Sequence, residues 1–448
     1  MFEDLREFLA HLEDLGQLKR VKEEVSVKYD IAAGIRKTSD IEGPALLFGN
    51  VKDYPGWSVL GGLFATRKLV ALGLGVPQDK LLERYMTLED VRIPPEIVTG
   101  GPVKEIKWTG DQIDLTKLPI VTHASKDCGP YVTIGVQIGK DPETGVRNLS
   151  VHRMLVLGKD RLSLWAPADH HLGRMILMAE EKKKGLEVAT AVGVDPAIVI
   201  ASQAKVPYGI DEFHVAGGLR GSAVKLTKCE TIDVEVPAFA EVVIEGVTIP
   251  GERVADGPYG EYPGCYSEAK QAPVLKVTAI TMRQNPIWQT ALTGMPVTEN
   301  HTLIEYGNGA VVFHEIKKIV PEVKAINLTP GGTFRHHVVV AIKKRAENEG
   351  RNVILALLSM GIGLKQVIVV DEDIDPFDPM QVDWAMATRF QADKDVIIIP
   401  RIACSTLDPS CPEPRVTAGL GIDATAPMKE RWRFEKVEIP GVDKVKYI

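Results

Sequence analysis

The sequence contains no apolar run approaching the ~18 residues that cross a bilayer as a helix, and its opening, Met-Phe-Glu-Asp-Leu-Arg, is acidic where a secretory leader is basic. A soluble cytoplasmic protein is therefore expected, with no membrane partner. Lysine and arginine form no long block and the formal charge is -7, which argues against a grip on phosphate backbones, so nucleic acid is not an expected partner. Cysteine is scarce. The five present (Cys128, Cys229, Cys265, Cys404, Cys411) are scattered and include no C-x-x-C pair, so neither a disulfide framework nor a zinc ribbon is suggested and reduced thiols are expected. Cys128 and Cys265 stand in glycine- and proline-marked loops where a reactive thiol can sit, although a cysteine is more often a small buried hydrophobe. Internal repeats and low-complexity segments are also absent, which removes solenoid architectures.

What is present, 448 residues of which 45% are apolar and 25% charged, fits two or three globular domains with ordinary cores. Phe2, Leu5, Phe8, Leu9 and Leu12 recur at helical spacing before Gly16, predicting an opening amphipathic helix over 2–16. Mixed helical and strand-like runs continue to about residue 100 and read as a small α/β unit. From Trp108 to about Ile280 short β-branched runs predominate: 131–138, 148–157, 197–201, 222–226, 240–249 and 274–281. Such strands at modest spacing predict a barrel or sandwich. One helix interrupts them at about 173–184, ending in three lysines before Gly185. A helix over 299–320 follows. Strands at 338–342, 366–370 and 396–399 then alternate with helices at 348–359 and 382–389, the pattern of a second α/β domain.

Three segments gather polar residues within apolar surroundings read as strands: Asn148-Leu-Ser-Val-His-Arg153, Trp165-Ala-Pro-Ala-Asp-His-His171 and Asp211-Glu212-Phe-His-Val-Ala-Gly-Gly-Leu-Arg-Gly221. An amide, an imidazole and a carboxylate form a credible ligand set for Mn²⁺ or Mg²⁺. On spacing alone, the alternative in which each group satisfies a local main-chain partner stays open. A fourth segment, Asp256-Gly-Pro-Tyr-Gly-Glu261, places two carboxylates five residues apart across a turn. Brought close and desolvated, one of them would hold a proton near neutral pH and serve as a general acid; an exposed acidic turn is the other reading.

In order and spacing, Asn148, Arg153, His171, Glu212 in Glu-x-x-x-x-Gly-x-x-x-Gly, and Asp256-Gly-Pro-Tyr-Gly-Glu261 resemble the cofactor and catalytic motifs of the UbiD decarboxylases. The resemblance extends to Val-Val-Asp371-Glu-Asp-Ile-Asp375 and Ala387-Thr-Arg-x-Gln-x-Asp-x-Asp395, and so covers the chain to about residue 425. It implies a multidomain α+β and α/β fold: an N-terminal α/β unit (1–100), a split β-barrel flavin-binding domain (101–298), a linking helix (299–320), a C-terminal α/β oligomerisation domain (321–430) and a tail (431–448). The activity implied is reversible non-oxidative decarboxylation through a covalent adduct with prenylated FMN, supplied by a flavin prenyltransferase, in a homodimer or homohexamer.

Residue by residue, the resemblance assigns Asn148, His171 and Glu212 to a divalent metal, Mn²⁺ or Mg²⁺, on the flavin phosphate, and Leu149, Ala201, Ser202 and Ala204 to a K⁺ beside it. Val151, His152, Arg153, Trp165, Ala166, Pro167 and His170 would line the flavin, with Lys324 a candidate for a lysine near the phosphate. Arg153, Asp256 and Glu261 would form the catalytic ionic network, Glu261 donating the proton. Some family members carry Glu at the position of Asp256, glycine at that of Cys128, or no histidine at that of His171. His301 and the run Arg335-His336-His337 are candidates for binding a second anionic or polar substituent, against the plainer reading of surface hydrogen bonds at a strand entrance. They point to an aromatic or heteroaromatic acid, furan-2,5-dicarboxylate first and hydroxybenzoates next. Two other readings are an ordinary flavin oxidoreductase and a non-catalytic flavin carrier. The first lacks a Gly-x-Gly-x-x-Gly motif and leaves Asp256 and Glu261 without a task, and the second makes the Arg153, Asp256 and Glu261 set superfluous.

Overall fold

In a computed structural model, which describes residues 2–405, 407–411 and 415–446, the chain forms two compact units, Met1–Ala310 and Val311–Ile448. The last two residues of the expected tail, 447–448, lie outside the described ones.

The first unit opens with the helix Leu5–Asp14, capped by the Asp4 side chain on the Glu7 amide and burying Leu5, Phe8, Leu9 and Leu12. Arg6 on this helix forks onto Glu241 of the central region at 2.7 and 2.8 Å. A four-stranded sheet follows in the order Leu18–Val21, Ala45–Phe48, Ser58–Gly61 and Ile287–Gln289. Its last strand arrives from more than 200 residues away and runs parallel to Ser58–Gly61. Sequence periodicity cannot reveal such a long-range partner.

The centre of the first unit is a sheet in the order Arg161–Ser163, Lys270–Met282, Val242–Asp256, Glu187–Val192, Val136–Lys140 and Arg147–Val151, with Ile106–Thr109 also paired to Lys270–Met282. Its pairings are antiparallel. Two of the expected strands are much longer than their apolar runs. Val242–Asp256 and Lys270–Met282 pair over most of their length, with a register shift between Thr248 and Arg253, and this carries Asp256 to the end of the ladder. Two others are split: 131–138 into Tyr131–Val132 and Val136–Lys140, and 148–157 into Arg147–Val151 and Met154–Leu155. Arg153 therefore sits in a break between strands.

Two expectations were of the wrong type. The run 197–201 is a helix, Pro196–Ala201, because Asp195 accepts from the Ala197 and Ile198 amides and Pro196 occupies the first turn. All six of its residues are buried, so no polar face betrayed the helical period. The segment 211–221 is likewise the helix Glu212–Arg220, capped by Asp211. Its Gly217 and Gly218 lie where a Cβ would strike the Ile93 and Val91 carbonyls, so the glycines serve close main-chain packing rather than a turn.

The helix Glu299–Lys317 runs from the end of the first unit into the second. The second unit holds a five-stranded sheet, Val323–Leu328, His337–Ile342, Gln366–Asp371, Val416–Ala424 and Val396–Ala403 in spatial order. Its three middle strands are parallel and the outer two antiparallel. The helices Glu349–Ser359 and Pro379–Arg389 complete the α/β pattern, with Val339, Ala341, Ile368, Val370 and Ala385 in the core. Cys404 and Cys411 are joined as a disulfide, contrary to the expectation of reduced thiols; a separation of seven residues, outside any C-x-x-C pattern, brings their Cα atoms to 6.4 Å. No described helix is long and apolar enough to cross a membrane.

Candidate active site

Asn148 lies on the edge strand Arg147–Val151, and two helix starts bring it company. Glu212 opens the helix Glu212–Arg220, and His171 opens His171–Glu181. The Asn148 amide donates to Glu212 Oε1 at 2.8 Å and stands 3.4 Å from His171 Nδ1, which is itself 3.9 Å from Glu212 Oε1. The other Glu212 oxygen accepts from the Leu149 amide at 2.7 Å. Burial pushes the Glu212 carboxyl upward in pKa, while His171 and the Leu149 N–H pull the other way. The His171 ring meets Tyr208 edge-on at 5.2 Å, and the Tyr208 hydroxyl donates to Asp141. No group of three His, Cys, Asp or Glu side chains gathers among the described residues, because the third donor here is an amide.

These three side chains wall a cavity of about 290 Å³ together with Val151, His152 and His170. Leu149, Ser202 and Ala204 of the expected K⁺ set also face it, whereas the fully buried Ala201 does not line it. Lys205 lines it too. Lys324 is on the second unit's strand Val323–Leu328, half exposed and beside Glu322 at 3.3 Å, so Lys205 is the lysine of this cavity. The loop carrying Trp165, Ala166 and Pro167 lies outside the lining. Its Trp165 amide donates to the Arg153 carbonyl at 3.3 Å, and its Pro167 carbonyl crosses so close to Gly173 that a Cβ there would collide with it.

Arg153 is clamped by both carboxylates of the fourth segment. Its Nε donates to Asp256 Oδ1 at 2.8 Å and its Nη1 to Glu261 Oε1, while its guanidinium carbon lies 4.6 Å from the centroid of the Tyr259 ring. Asp256 is wholly buried and also accepts from Ser163 Oγ and, at 3.4 Å, from Tyr131 OH. Glu261 Oε2 accepts from the Tyr262 amide at 3.1 Å. Asp127 holds the turn by accepting from the Gly260 amide at 2.8 Å, and burial raises its pKa. Ser163, Tyr131 and Asp127 were not among the expected site residues, although Asp127 and Tyr131 flank Cys128, whose loop was marked as a place for a reactive thiol.

The donor set fits a flavin held through a metal-bound phosphate. A carboxylate, an imidazole and an amide converge at the cavity lining, and the buried His152 Nε2 of that lining and Nη2 of Arg153, the next residue in the chain, have no hydrogen-bond partner among the described residues.

The remaining predicted residues are placed otherwise. His301 is fully buried with both ring nitrogens engaged, one on the Tyr262 carbonyl and one on Thr298. Burial lowers its pKa to about 4, so it is neutral rather than an anion-binding cation. In the second unit, His336 Nδ1 faces the Gly363 carbonyl at 2.9 Å and His337 Nδ1 faces Thr329 Oγ1 at 3.1 Å, with both pKa values lowered by burial. Of the three consecutive residues, Arg335 is the one permanent cation.

Three domain models of 3-octaprenyl-4-hydroxybenzoate carboxy-lyase match the chain: the N-terminal domain over residues 9–89, the Rift-related domain over 96–296 and the C-terminal domain over 301–424. The anhydromevalonate phosphate decarboxylase of Methanothermobacter thermautotrophicus is 35% identical over 93% of this chain and 96% of its own. The chain belongs to the UbiD family. It is a carboxy-lyase, a decarboxylase of the UbiD class. Among solved UbiD-class structures, HmfF from Pelotomaculum thermopropionicum in complex with FMN superposes with a TM-score of 0.92 at 43% identity, covering 99% of each chain. An evolved dimeric form of HmfF with prenylated FMN gives 0.90 at 41%, covering 100% of this chain and 99% of that one. The 3,4-dihydroxybenzoic acid decarboxylase of Klebsiella pneumoniae gives 0.90 at 30%, covering 99% and 98%.

Proposed function

We propose that this protein reversibly decarboxylates a small aromatic or heteroaromatic acid carrying a second polar group, with furan-2,5-dicarboxylate, giving 2-furoate, as the leading substrate and hydroxybenzoates next. The observation that carries the reaction is Arg153 held between Asp256 and Glu261 with Nη2 buried and left over. That N–H suits a substrate carboxylate, which the planar fork orients while Asp256 keeps the guanidinium in place. Prenylated FMN, when bound, supplies the electron sink that carbon dioxide loss from an sp² carbon requires. Asn148, His171 and Glu212 would hold it through Mn²⁺ or Mg²⁺ on its phosphate, and Leu149, Ala201, Ser202 and Ala204 would hold K⁺. Val151, His152, Arg153, Trp165, Ala166, Pro167 and His170 would border the ring system. Glu261 delivers its proton to the carbon that carbon dioxide has left. Arg335 is assigned to the second substituent, with His336 and His337 as neutral neighbours and His301 withdrawn from this role. A homodimer or homohexamer supplied by a flavin prenyltransferase is part of the same reading.

A second substrate class has its own support. Two curated relatives at 35% identity are anhydromevalonate phosphate decarboxylases, which suggests an unsaturated acid bearing a phosphate. The test is carbon dioxide release from a panel of furan-2,5-dicarboxylate, 3,4-dihydroxybenzoate, vanillate, anhydromevalonate phosphate and cinnamate. Wild type and Arg335→Ala are both loaded by co-expression with a flavin prenyltransferase. Preference for the furan, with the ranking changed by Arg335→Ala and reverse carboxylation at high bicarbonate, supports the proposal. Cinnamate as best substrate, or an unchanged ranking, overturns the polar-substituent reading, and anhydromevalonate phosphate as best substrate establishes the second class.

A further inference from the structure

The Glu261 carboxylate has its proton-carrying geometry set by the residue that follows it. The Tyr262 amide donates to Glu261 Oε2 at 3.1 Å, and the turn is closed by Glu261 N–H to the Cys265 carbonyl at 2.8 Å and Gly264 N–H to the Glu261 carbonyl at 3.0 Å. Tyr262 is also held from outside the turn, through its carbonyl in the next peptide unit. His301 Nε2–H donates to the Tyr262 carbonyl at 2.8 Å, and the two rings pack with centroids 4.6 Å apart.

The other His301 nitrogen is tied to the start of its own helix. Nδ1 accepts from the Thr298 amide at 3.1 Å and lies 2.8 Å from the Thr298 hydroxyl, so His301 takes the third-position role of a capping box with Thr298 ahead of the helix. That helix start is anchored in turn. Glu299 accepts from the Gly62 amide at 2.6 Å and the Leu292 amide at 3.1 Å, and Thr302 donates to the Phe64 carbonyl. The imidazole thus joins this anchored helix start to the turn that carries Glu261, which follows the end of the strand Val242–Asp256. Only the tautomer with the proton on Nε2 satisfies both sides.

We propose that His301 is a positioning residue for the proton donor: it holds the Tyr262 backbone by the carbonyl, and the N–H of the same residue aims the Glu261 carboxylate. This rests on Glu261 being the proton donor, as in the function proposed above. Displacement of a reacting group by about 1 Å costs on the order of 10²-fold in rate without a matching loss of binding, so the signature is in kcat rather than KM.

Two substitutions separate the two tasks of the ring. His301→Asn keeps an acceptor near the Nδ1 position for the Thr298 cap and removes the donor to Tyr262. His301→Gln keeps a donor near the Nε2 position and weakens the cap. Both are read by hydrogen exchange of the 260–265 amides, which needs no substrate, and by kcat, KM and the pH profile on whichever acid of the panel the wild type turns over. The expected result is that His301→Asn holds its melting temperature, exchanges faster across 260–265, loses about 10²-fold in kcat at nearly unchanged KM and shifts the limb of the pH profile set by the donor. His301→Gln is expected to melt lower and keep kcat within about threefold. Unchanged exchange in His301→Asn, or kcat falling in step with melting temperature in both variants, overturns the proposal. If His301→Asn does not fold, His301→Gln decides alone: wild-type exchange and kcat at a lowered melting temperature support positioning, and parallel loss overturns it. If Glu261→Gln were to retain turnover, the proton-donor assignment would fail while the exchange result still reported on the loop.

Discussion

Arg153 Nε donates to Asp256 Oδ1 over 2.8 Å, with Asp256 wholly removed from solvent and Arg153 nearly so. A buried pair of this kind is costly to break from one side, about 3–5 kcal/mol when one partner is removed, because the other charge is left without compensation. Asp256→Ala is therefore expected to lower the urea unfolding free energy by an amount at the low end of that range, since Glu261 still pairs with Arg153, and to abolish turnover. Asp256→Asn keeps an acceptor for Ser163 and Tyr131 and should unfold closer to wild type while remaining at least 10²-fold slower. Equal stability for Asp256→Ala and wild type would show that the pair does not form in solution.

Glu261→Gln should keep the flavin and lose steady-state decarboxylation. The amide can still meet Arg153 through its oxygen but has no proton of suitable acidity to give the product carbon. Turnover within threefold of wild type would exclude Glu261 as donor.

Glu212 touches both of the other predicted metal ligands and the Leu149 amide. Glu212→Ala is expected to release the flavin, read as a fall in the flavin-to-protein absorbance ratio after gel filtration, and prolonged chelation of wild type should lower the same ratio. A ratio unchanged in both would mean that the phosphate is held without a metal.

Glu299 offers a pH test of a buried group. Burial raises its pKa from 4.5 to about 7, although the Gly62 and Leu292 amides and the nearby Arg36 favour the ionised form. A raised folded-state pKa means that its contribution to stability is present below pH 4.5 and is lost as pH rises through 7, a change of roughly 3 kcal/mol. Glu299→Gln loses an acceptor at every pH but has no such titration. The unfolding free energy of the variant minus that of wild type should increase between pH 4.5 and 7. A flat difference would show that Glu299 does not titrate in this range.

The ionic site was legible through the family motifs, since on spacing alone Arg153, Asp256 and Glu261 left other readings open. Elements whose signals conflict were not. Pro196–Ala201 is apolar on every side and reads as a strand unless Asp195 and Pro196 are taken as a helix start. Glu212–Arg220 reads as part of a strand unless Asp211 is taken as a helix cap. The partner of Ser58–Gly61 is beyond any local pattern. His301 was visible as a residue but not as a role, because its meaning lies in the Tyr262 carbonyl, which carries no sequence signature.

Gly173 is not itself a predicted ligand, yet the Pro167 carbonyl leaves no room there for even a methyl group. A survey of variants scored only by colour would therefore flag position 173 beside Glu212, although one would lose its yellow through a displaced loop and the other through a missing charge. Supplying excess metal would distinguish them, since it cannot restore a backbone pushed out of place.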